Sequence, residues 1–471
     1  MDSAAAVAEV FKAQQARRWA QAQTGASERI DRLKRLKAAI VARRRGLCDA
    51  VHADFRKPAT EVEVTELHPT IAEIDHAISH LEGWMDPRHI PTPLLLAGTR
   101  SAVHHEAKGL VLVLAPWNYP IFLLLGPLVG AIAAGNCVML KPSHRTRHTS
   151  AALAELLADV FPRDEVAVLQ GGGDLGDRLL ELPFDHICFT GSQTVGRKVM
   201  AAAARHLASV TLELGGKSPA LVDGTADLTT AARRIAWGKF VNAGQTCVAP
   251  DYALVPRGSV DAFTNALSAV IRRSYGNTAA ERQDSPDLAR IIDDKAHARL
   301  VDALDRSVAA GARVVIGGDH DRDSRYIAPT VLVDVKPDMA IMADEIFGPI
   351  LPVVAYDEPS DAIYFIQARD KPLALYLFCD DPARVRHVLA STSAGGTVIN
   401  NCLIHLANPG LPFGGVGASG QGNYHGRWGF ETFSHARAVM HQSSPALIAL
   451  FAPPYETTVS RLAKKVLRVF E

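Results

Sequence analysis

The chain has 471 residues, 48% of them hydrophobic, with 50 Lys and Arg against 50 Asp and Glu. That length builds two or three domains with substantial cores. Balanced charge excludes a nucleic-acid partner held by bulk electrostatics, and aromatics are too few, with no basic run among them, for single-strand stacking.

Residues 4–85 read as mostly helical, with Val7, Val10 and Phe11, then Leu33, Leu36 and Ile40, at helical spacing. Pro87 to Pro93 breaks that pattern, and Leu94 to Lys108 suggests an extended arm. From Gly109 the rhythm becomes strand then helix. Strands are expected at Leu110–Ala115, Asn136–Lys141, Val166–Leu169 and His186–Phe189, the first two closed by Pro116 and Pro142. Ile121 to Gly135 is apolar but short and broken by Gly and Pro, so it reads as a buried helix, not a membrane span. This alternation argues for an α/β fold with a doubly wound parallel sheet, whose ligands sit at the carboxyl ends of the strands. A second block from about Glu213 mixes strands (Tyr252–Val255, Thr397–Asn400) with helices such as Ala296–Ala309. The tail from Pro445 carries an apolar patch, Leu447 to Phe451, and a basic amphipathic segment, Leu462 to Phe470. It reads as a docked helix; a membrane-surface anchor is the weaker alternative, because the segment is short.

The six cysteines (Cys48, Cys137, Cys188, Cys247, Cys379, Cys402) have no paired spacing. They read as reduced cytoplasmic thiols, with no disulfide frame and no metal site. Met1-Asp2-Ser3 opens no basic region followed by an apolar run, so no secretory signal is expected.

Two turns carry the chemistry. Val241 to Cys247 presents a cysteine behind Gly244-Gln245-Thr246, and Glu213 is followed by Gly215-Gly216-Lys217. A thiolate that forms adducts and a carboxylate that activates water suffice to make and hydrolyse a thioester. A lone cysteine is commonly an inert buried thiol; the flanking residues and Glu213 point to a nucleophile. Two glycines behind Glu213 suggest close backbone approach. Asn118, after Pro116-Trp117 at a strand end, is a turn residue or a donor to an oxyanion. Phe189-Thr190-Gly191-Ser192 ends a strand and opens a helix, which suits a pyrophosphate or is simply a capped helix start. Gly171 to Gly176 fits G-x-G-x-x-G, but the expected acidic residue at the end of the next strand is absent, and the loop is set aside.

In order along the chain, Pro116-Trp117-Asn118, Lys141-Pro142-Ser143, Phe189-Thr190-Gly191-Ser192, Glu213-Leu214-Gly215-Gly216-Lys217, Gly244-Gln245-Thr246-Cys247, Glu345-Ile346-Phe347-Gly348-Pro349 and Pro412-Phe413-Gly414-Gly415 resemble the aldehyde dehydrogenase superfamily over nearly the whole length. Ala249-Pro250-Asp251-Tyr252, Pro91-Thr92-Pro93-Leu94, Lys371 to Tyr376, and Phe413 to Gly417 leading into Tyr424-His425-Gly426 resemble its class-3 branch of fatty, aromatic and coniferyl aldehyde dehydrogenases.

The resemblance implies a Rossmann-like NAD(P)-binding domain (1–86 and 107–213), an α/β catalytic domain (214–430), a small β-arm (87–106 and 431–445) bridging a homodimer, and a C-terminal tail (446–471). It makes Cys247 the nucleophile and Glu213 the base, with Glu345 a second candidate for that role. The Asn118 side chain and the Cys247 backbone N–H form the oxyanion hole. Lys141 and Glu345 hold ribose hydroxyls, and Gly191 and Ser192 border the pyrophosphate. Further cofactor contacts fall at Pro116, Trp117, Ser143, His144, Val195, Leu214, Gly215 and Phe347. Tyr119, Leu123, Ile404 and Trp117 would line an apolar aldehyde pocket, or be ordinary core residues. Many relatives carry Glu three residues after the lysine matched to Lys141; here that residue is His144, followed by Arg145. Neither repels a 2′-phosphate, so NADP is expected beside NAD. The implied activity is oxidation of an aromatic or medium-to-long aliphatic aldehyde to its acid. The alternatives are a coenzyme A-acylating enzyme, against which Glu213 argues, and a non-catalytic binding protein, against which the Cys247, Glu213, Asn118 set argues.

Overall fold

The computed structural model describes residues 3–93 and 96–442 and a few isolated residues beyond. Leu94, the tail segment Leu447 to Phe451 and all of Leu462 to Phe470 but Lys465 lie outside the described residues. Two sheets organise the rest. One has six strands in the order Gly420–Gln421, Ser209–Leu214, His186–Gly191, Leu110–Leu114, Cys137–Lys141, Val166–Val168. All run parallel except the short first one, which pairs antiparallel with Glu213 and Leu212. The central strands Leu110–Leu114 and Cys137–Lys141 are buried at every position, as continuous apolar strands covered on both faces must be. The second sheet has seven strands, in the order Arg313–Ile316, Thr330–Val333, Ile350–Tyr356, Tyr252–Pro256, Pro219–Val222, Ala374–Phe378, Gly396–Ile399, and only the first is antiparallel.

The expected strands and helices stand within a residue or two of their sequence limits. Asn136 is left out of its strand because its backbone N–H donates to Ala131 O at 3.0 Å, at the end of the preceding helix; its side-chain Oδ1 accepts the Gly109 N–H at 2.8 Å and Nδ2 donates to Phe433 O at 3.0 Å. The apolar run forms the helix Phe122–Ala134, buried at all 13 positions. Its carboxyl end is capped by Arg29, which donates to Ala133 O at 2.9 Å, a cation at the negative end of the helix. No helix among the described residues is long and apolar enough to cross a membrane. The arm is a three-stranded antiparallel sheet, Arg88–Ile90, Thr99–Ala107 and Ser434–Gln442, with the last two paired over nine positions.

The amino-terminal helices do more than cover the first sheet. After Ala59–Val62 the helix widens into a π turn at Glu63–Leu67, a distortion found mostly at functional sites. It directs Glu66 inward. Glu66 meets Lys57 Nζ at 2.8 Å, both side chains fully buried, and its other oxygen accepts the Ile121 N–H at 2.8 Å. The Lys57 ammonium also lies 3.9 Å from the centre of the Tyr119 ring. Removing one partner of a buried pair strands the other charge, so Glu66→Ala should lower the unfolding free energy by about 3–5 kcal/mol. A urea midpoint shifted down by that equivalent is the expected reading; an unchanged midpoint would show that the pair is not buried in solution.

Candidate active site

The helix Leu228–Phe240 ends in a turn of three consecutive left-handed residues, Asn242 (φ 55°), Ala243 (φ 51°) and Gly244 (φ 73°). For the two non-glycine residues this costs on the order of 1–3 kcal/mol each. The surroundings hold the turn in place. Asn242 N–H donates to Glu61 Oε2 at 2.9 Å, and its side-chain amide donates to Asn118 O at 2.8 Å. Gln245 donates to Asn242 O at 3.1 Å and Arg290 O at 3.0 Å, and accepts the Ile292 N–H at 3.0 Å. Gly244 has no alternative: a Cβ there would stand 2.2 Å from Gly348 O. The turn delivers Thr246, whose hydroxyl meets Tyr119 Oη at 2.6 Å, and then Cys247.

Of the six free cysteines Cys247 is the one not fully buried. Burial, then the nearby Glu345 and Glu213, push its thiol up to about 12. Glu213 ends the strand Ser209–Leu214. It is buried, and among the described residues neither carboxyl oxygen has a hydrogen-bond partner. Burial alone holds it well above the usual carboxylate range. Asn118 is buried too, its Nδ2 donating to Gln245 O at 3.1 Å, two residues from the thiol.

Glu345 lies against the two glycines that follow Glu213. A Cβ on Gly215 would be 1.9 Å from Glu345 Oε2. Burial and Asp251 push Glu345 up to about 8, against the opposing pull of the Gly216 N–H and Lys217. Two charged residues whose roles sequence reading missed hold this loop. Lys217 bonds the Asp251 carboxylate, Ile341 O at 3.2 Å and Asp344 O at 2.8 Å; Asp251 also accepts the Ile346 N–H at 2.8 Å. Their signal was only a charge at the edge of each motif. Lys239, fully buried behind the same turn and without a hydrogen-bond partner among the described residues, is pushed down to about 8 by burial. Nothing in its local sequence announced it.

Two cavities meet at the thiol. One, of about 620 Å³, is lined by Pro116, Trp117, Asn118, Gly191, Ser192, Glu213, Leu214, Gly215, Cys247, Glu345 and Phe347. Ser192 caps the helix Gln193–His206, whose amino end therefore opens into this cavity. The other, of about 180 Å³, is lined by Tyr119, Phe122, Leu123, Trp237, Leu403, Ile404, Phe413 and Tyr424, with Cys247 at its inner end. Tyr119, Leu123 and Ile404 are thus brought together as expected. Trp117 is not with them: it faces the larger cavity, edge-on to Phe347 at 5.4 Å.

Ser143 and His144 line a third, open cavity of about 460 Å³ with Arg147, Gln170, Gly171 and Gly172. The glycine loop set aside on sequence grounds therefore forms a wall opposite His144. Arg145 does not join it. Its guanidinium turns to Asp293 and stacks 4.7 Å over Trp117, and Arg147 takes the place beside His144. Lys141 and Val195 line none of these three cavities. Lys141 is buried with its aliphatic stem near Gly176, and Val195 is exposed on the first turn after Ser192. Among the described residues no group of three or more His, Cys, Asp or Glu is placed to hold a metal ion.

Residues 1–439 match the model of the aldehyde dehydrogenase family. The chain belongs to that family. It is 46% identical over 425 residues to aldehyde dehydrogenase family 3 member B1 of Homo sapiens, covering 90% of this chain and 89% of that protein. It is 44% identical over 430 residues to 4,4'-diaponeurosporen-aldehyde dehydrogenase of Staphylococcus aureus, covering 91% and 92%. A solved structure described as the substrate-bound state of Staphylococcus aureus AldH superposes over the full length of both chains, with a TM-score of 0.94 at 41% identity. The aldehyde dehydrogenase fold and a class-3-like position within the family follow from these matches.

Proposed function

We propose that this aldehyde dehydrogenase oxidises an apolar aldehyde, aromatic or medium-to-long aliphatic, to its carboxylic acid, with either NAD or NADP. The observation that carries this reading is the single thiol of Cys247 standing where a large cavity with a helix amino terminus and an apolar cavity meet. The larger cavity suits a dinucleotide: Gly191 and Ser192 line it at the amino end of the helix Gln193–His206, where a pyrophosphate is favoured, and Gly215 admits close backbone approach. Nicotinamide bound there supplies the hydride acceptor.

The residues divide the remaining work. Cys247 attacks the carbonyl carbon from the apolar side. Asn118 Nδ2 and the Cys247 N–H stabilise the oxyanion; one such donor is worth ~10²–10³ in rate. Glu213 takes a proton from water to release the acid. Its partnerless carboxyl group supports hydrolysis over transfer to coenzyme A, because a base waiting for water needs free oxygens. Glu345, held by Gly216 and steered by Lys217 and Asp251, serves the ribose side of the site. Lys141, Ser143, His144 and Val195 serve the far end of the cofactor. The first sheet with its helices is the cofactor unit, and the second presents the nucleophile. The arm joins two copies through the strand Ser434–Gln442, which pairs on one side only among the described residues. The free, scattered thiols fit a cytoplasmic enzyme.

The direct test is the initial rate of reduced nicotinamide formation with an aromatic and a medium-chain aldehyde, each with NAD and NADP. Cys247→Ala should abolish it and leave nucleotide binding, read by calorimetry, intact; turnover surviving in that variant would sink the mechanism. With the Glu213 carboxyl held high by burial, wild-type turnover should rise with pH well above the ordinary carboxylate range, as the base loses its proton. In Glu213→Gln that limb should vanish and acyl-enzyme accumulate. His144→Glu should lower kcat/KM for NADP by at least ~10-fold, a carboxylate opposing the 2′-phosphate, and spare NAD. Equal losses with both cofactors would remove His144 from discrimination.

A further inference from the structure

Between Ala59 and Leu67 the chain meets the active site three times. Val64 and Thr65 form part of the apolar wall. Glu66 holds Lys57 and the Ile121 N–H. Glu61 reaches the turn that carries the thiol: its Oε2 accepts the Asn242 N–H at 2.9 Å, across 181 residues of sequence. The Thr65 hydroxyl donates to Glu61 O at 2.6 Å and braces the segment from within.

Asn242 is fully buried and left-handed, with φ 55°. Its side-chain amide spans the two halves of the site. Nδ2 donates to Asn118 O at 2.8 Å and to Gln245 O at 3.1 Å. Gln245 O also accepts from Asn118 Nδ2, at 3.1 Å. Asn242 thus ties Asn118 to the residues that run into Cys247. A buried N–H without an acceptor is costly, and a strained left-handed residue persists only where its surroundings over-determine it. Without the Glu61 carboxylate both conditions fail at Asn242. The turn then relaxes, and Cys247 and Asn118 shift with it. We infer that Glu61 is a positioning residue for acylation: its bond to the Asn242 N–H fixes the Cys247 thiol and the Asn118 amide relative to each other.

This rests on the roles given to Cys247 and Asn118 in the aldehyde dehydrogenase reading. In the step that Glu61 serves, the Cys247 thiolate adds to the carbonyl carbon. The π pair moves to the oxygen, which Asn118 Nδ2 and the Cys247 N–H meet. A misplacement of the nucleophile or the donor slows that addition. Glu61 lines neither cavity at the thiol, so its loss spares nucleotide binding and shows in the chemical step.

The test compares two variants of the full chain. Glu61→Leu replaces the carboxylate by an apolar group of similar size; Glu61→Gln drops the charge and keeps an acceptor oxygen. With enzyme in excess over a medium-chain aldehyde and cofactor saturating, the single-turnover rate of reduced nicotinamide formation should fall at least ~10-fold in Glu61→Leu and stay within about threefold in Glu61→Gln. Calorimetry should find wild-type nucleotide affinity in both. A Glu61→Leu rate within twofold of wild type would overturn the proposal. So would an equal loss in Glu61→Gln, which would trace the effect to charge and not to the hydrogen bond. Where only a fraction of Glu61→Leu chains binds nucleotide, the rate per binding chain decides by the same limits. If that variant does not fold, Glu61→Asp, which withdraws the acceptor by one methylene, replaces it with the same expected loss. If wild type forms no reduced nicotinamide with any aldehyde, the dehydrogenase reading is what fails. The p-nitrophenol released from p-nitrophenyl acetate by wild type but not by Cys247→Ala then tests Glu61 alone. Slower release in Glu61→Leu supports the role; an unchanged rate, or no release that depends on Cys247, ends it.

Discussion

Everything at this site hangs on one buried amide. Gln245 spends its whole side chain on three backbone groups, Asn242 O, Arg290 O and Ile292 N–H. Those bonds fasten the left-handed turn to a segment of chain more distant in sequence, and the thiol two residues on inherits the rigidity. The Glu61 carboxylate beneath Asn242 and the Tyr119 hydroxyl on Thr246 fasten the same turn from the side of the amino-terminal helices. Backbone strain is tolerated here because its neighbours over-determine it, and the site is precise because strain and fastening meet at one point.

The electrostatic design is one of withheld partners. Glu213, Glu345 and the thiol line one cavity, and burial, then Glu345 and Glu213, raise the proton affinity of the thiol. Three cations near the site are committed elsewhere, Lys217 to Asp251, Arg145 to Asp293 and Lys57 to Glu66, and Lys239 is buried behind the turn. A carboxylate paired to any of these would ionise early and make a poor base near neutrality. The charged pairs build the walls, and the unpaired groups are left facing the reacting atoms.

The parallel sheet, the buried apolar helix and the turns that bring Cys247 and Glu213 to one cavity were legible because their signals are local: apolar runs, strand-end turns, glycines beside a polar residue. What stayed hidden depends on contacts distant in sequence. Nothing near Arg145 says that Asp293 will claim it and leave Arg147 beside His144. The glycine loop at 171 lacked the acidic residue of the dinucleotide pattern, yet packing brings it opposite Ser143 and His144 all the same. Lys217 and Asp251 read as motif edges, and only the fold shows that they steer the loop carrying Glu345. Trp117 and Tyr119, two residues apart, face different cavities because the chain turns between them at Asn118, a bend no apolar pattern encodes.

The long-range pairing of Gly420–Gln421 with Glu213, and of Ser434–Gln442 with Thr99–Ala107, has a consequence for folding. In sequence the thiol turn stands far ahead of the edge strand of the first sheet and of the Phe413 and Tyr424 wall. Contacts of such separation close slowly, since loop entropy must be met before any of them forms. Until they close, Cys247 lacks the Phe413 and Tyr424 wall of its cavity, so the enclosure of the thiol belongs to the slow, long-range part of folding.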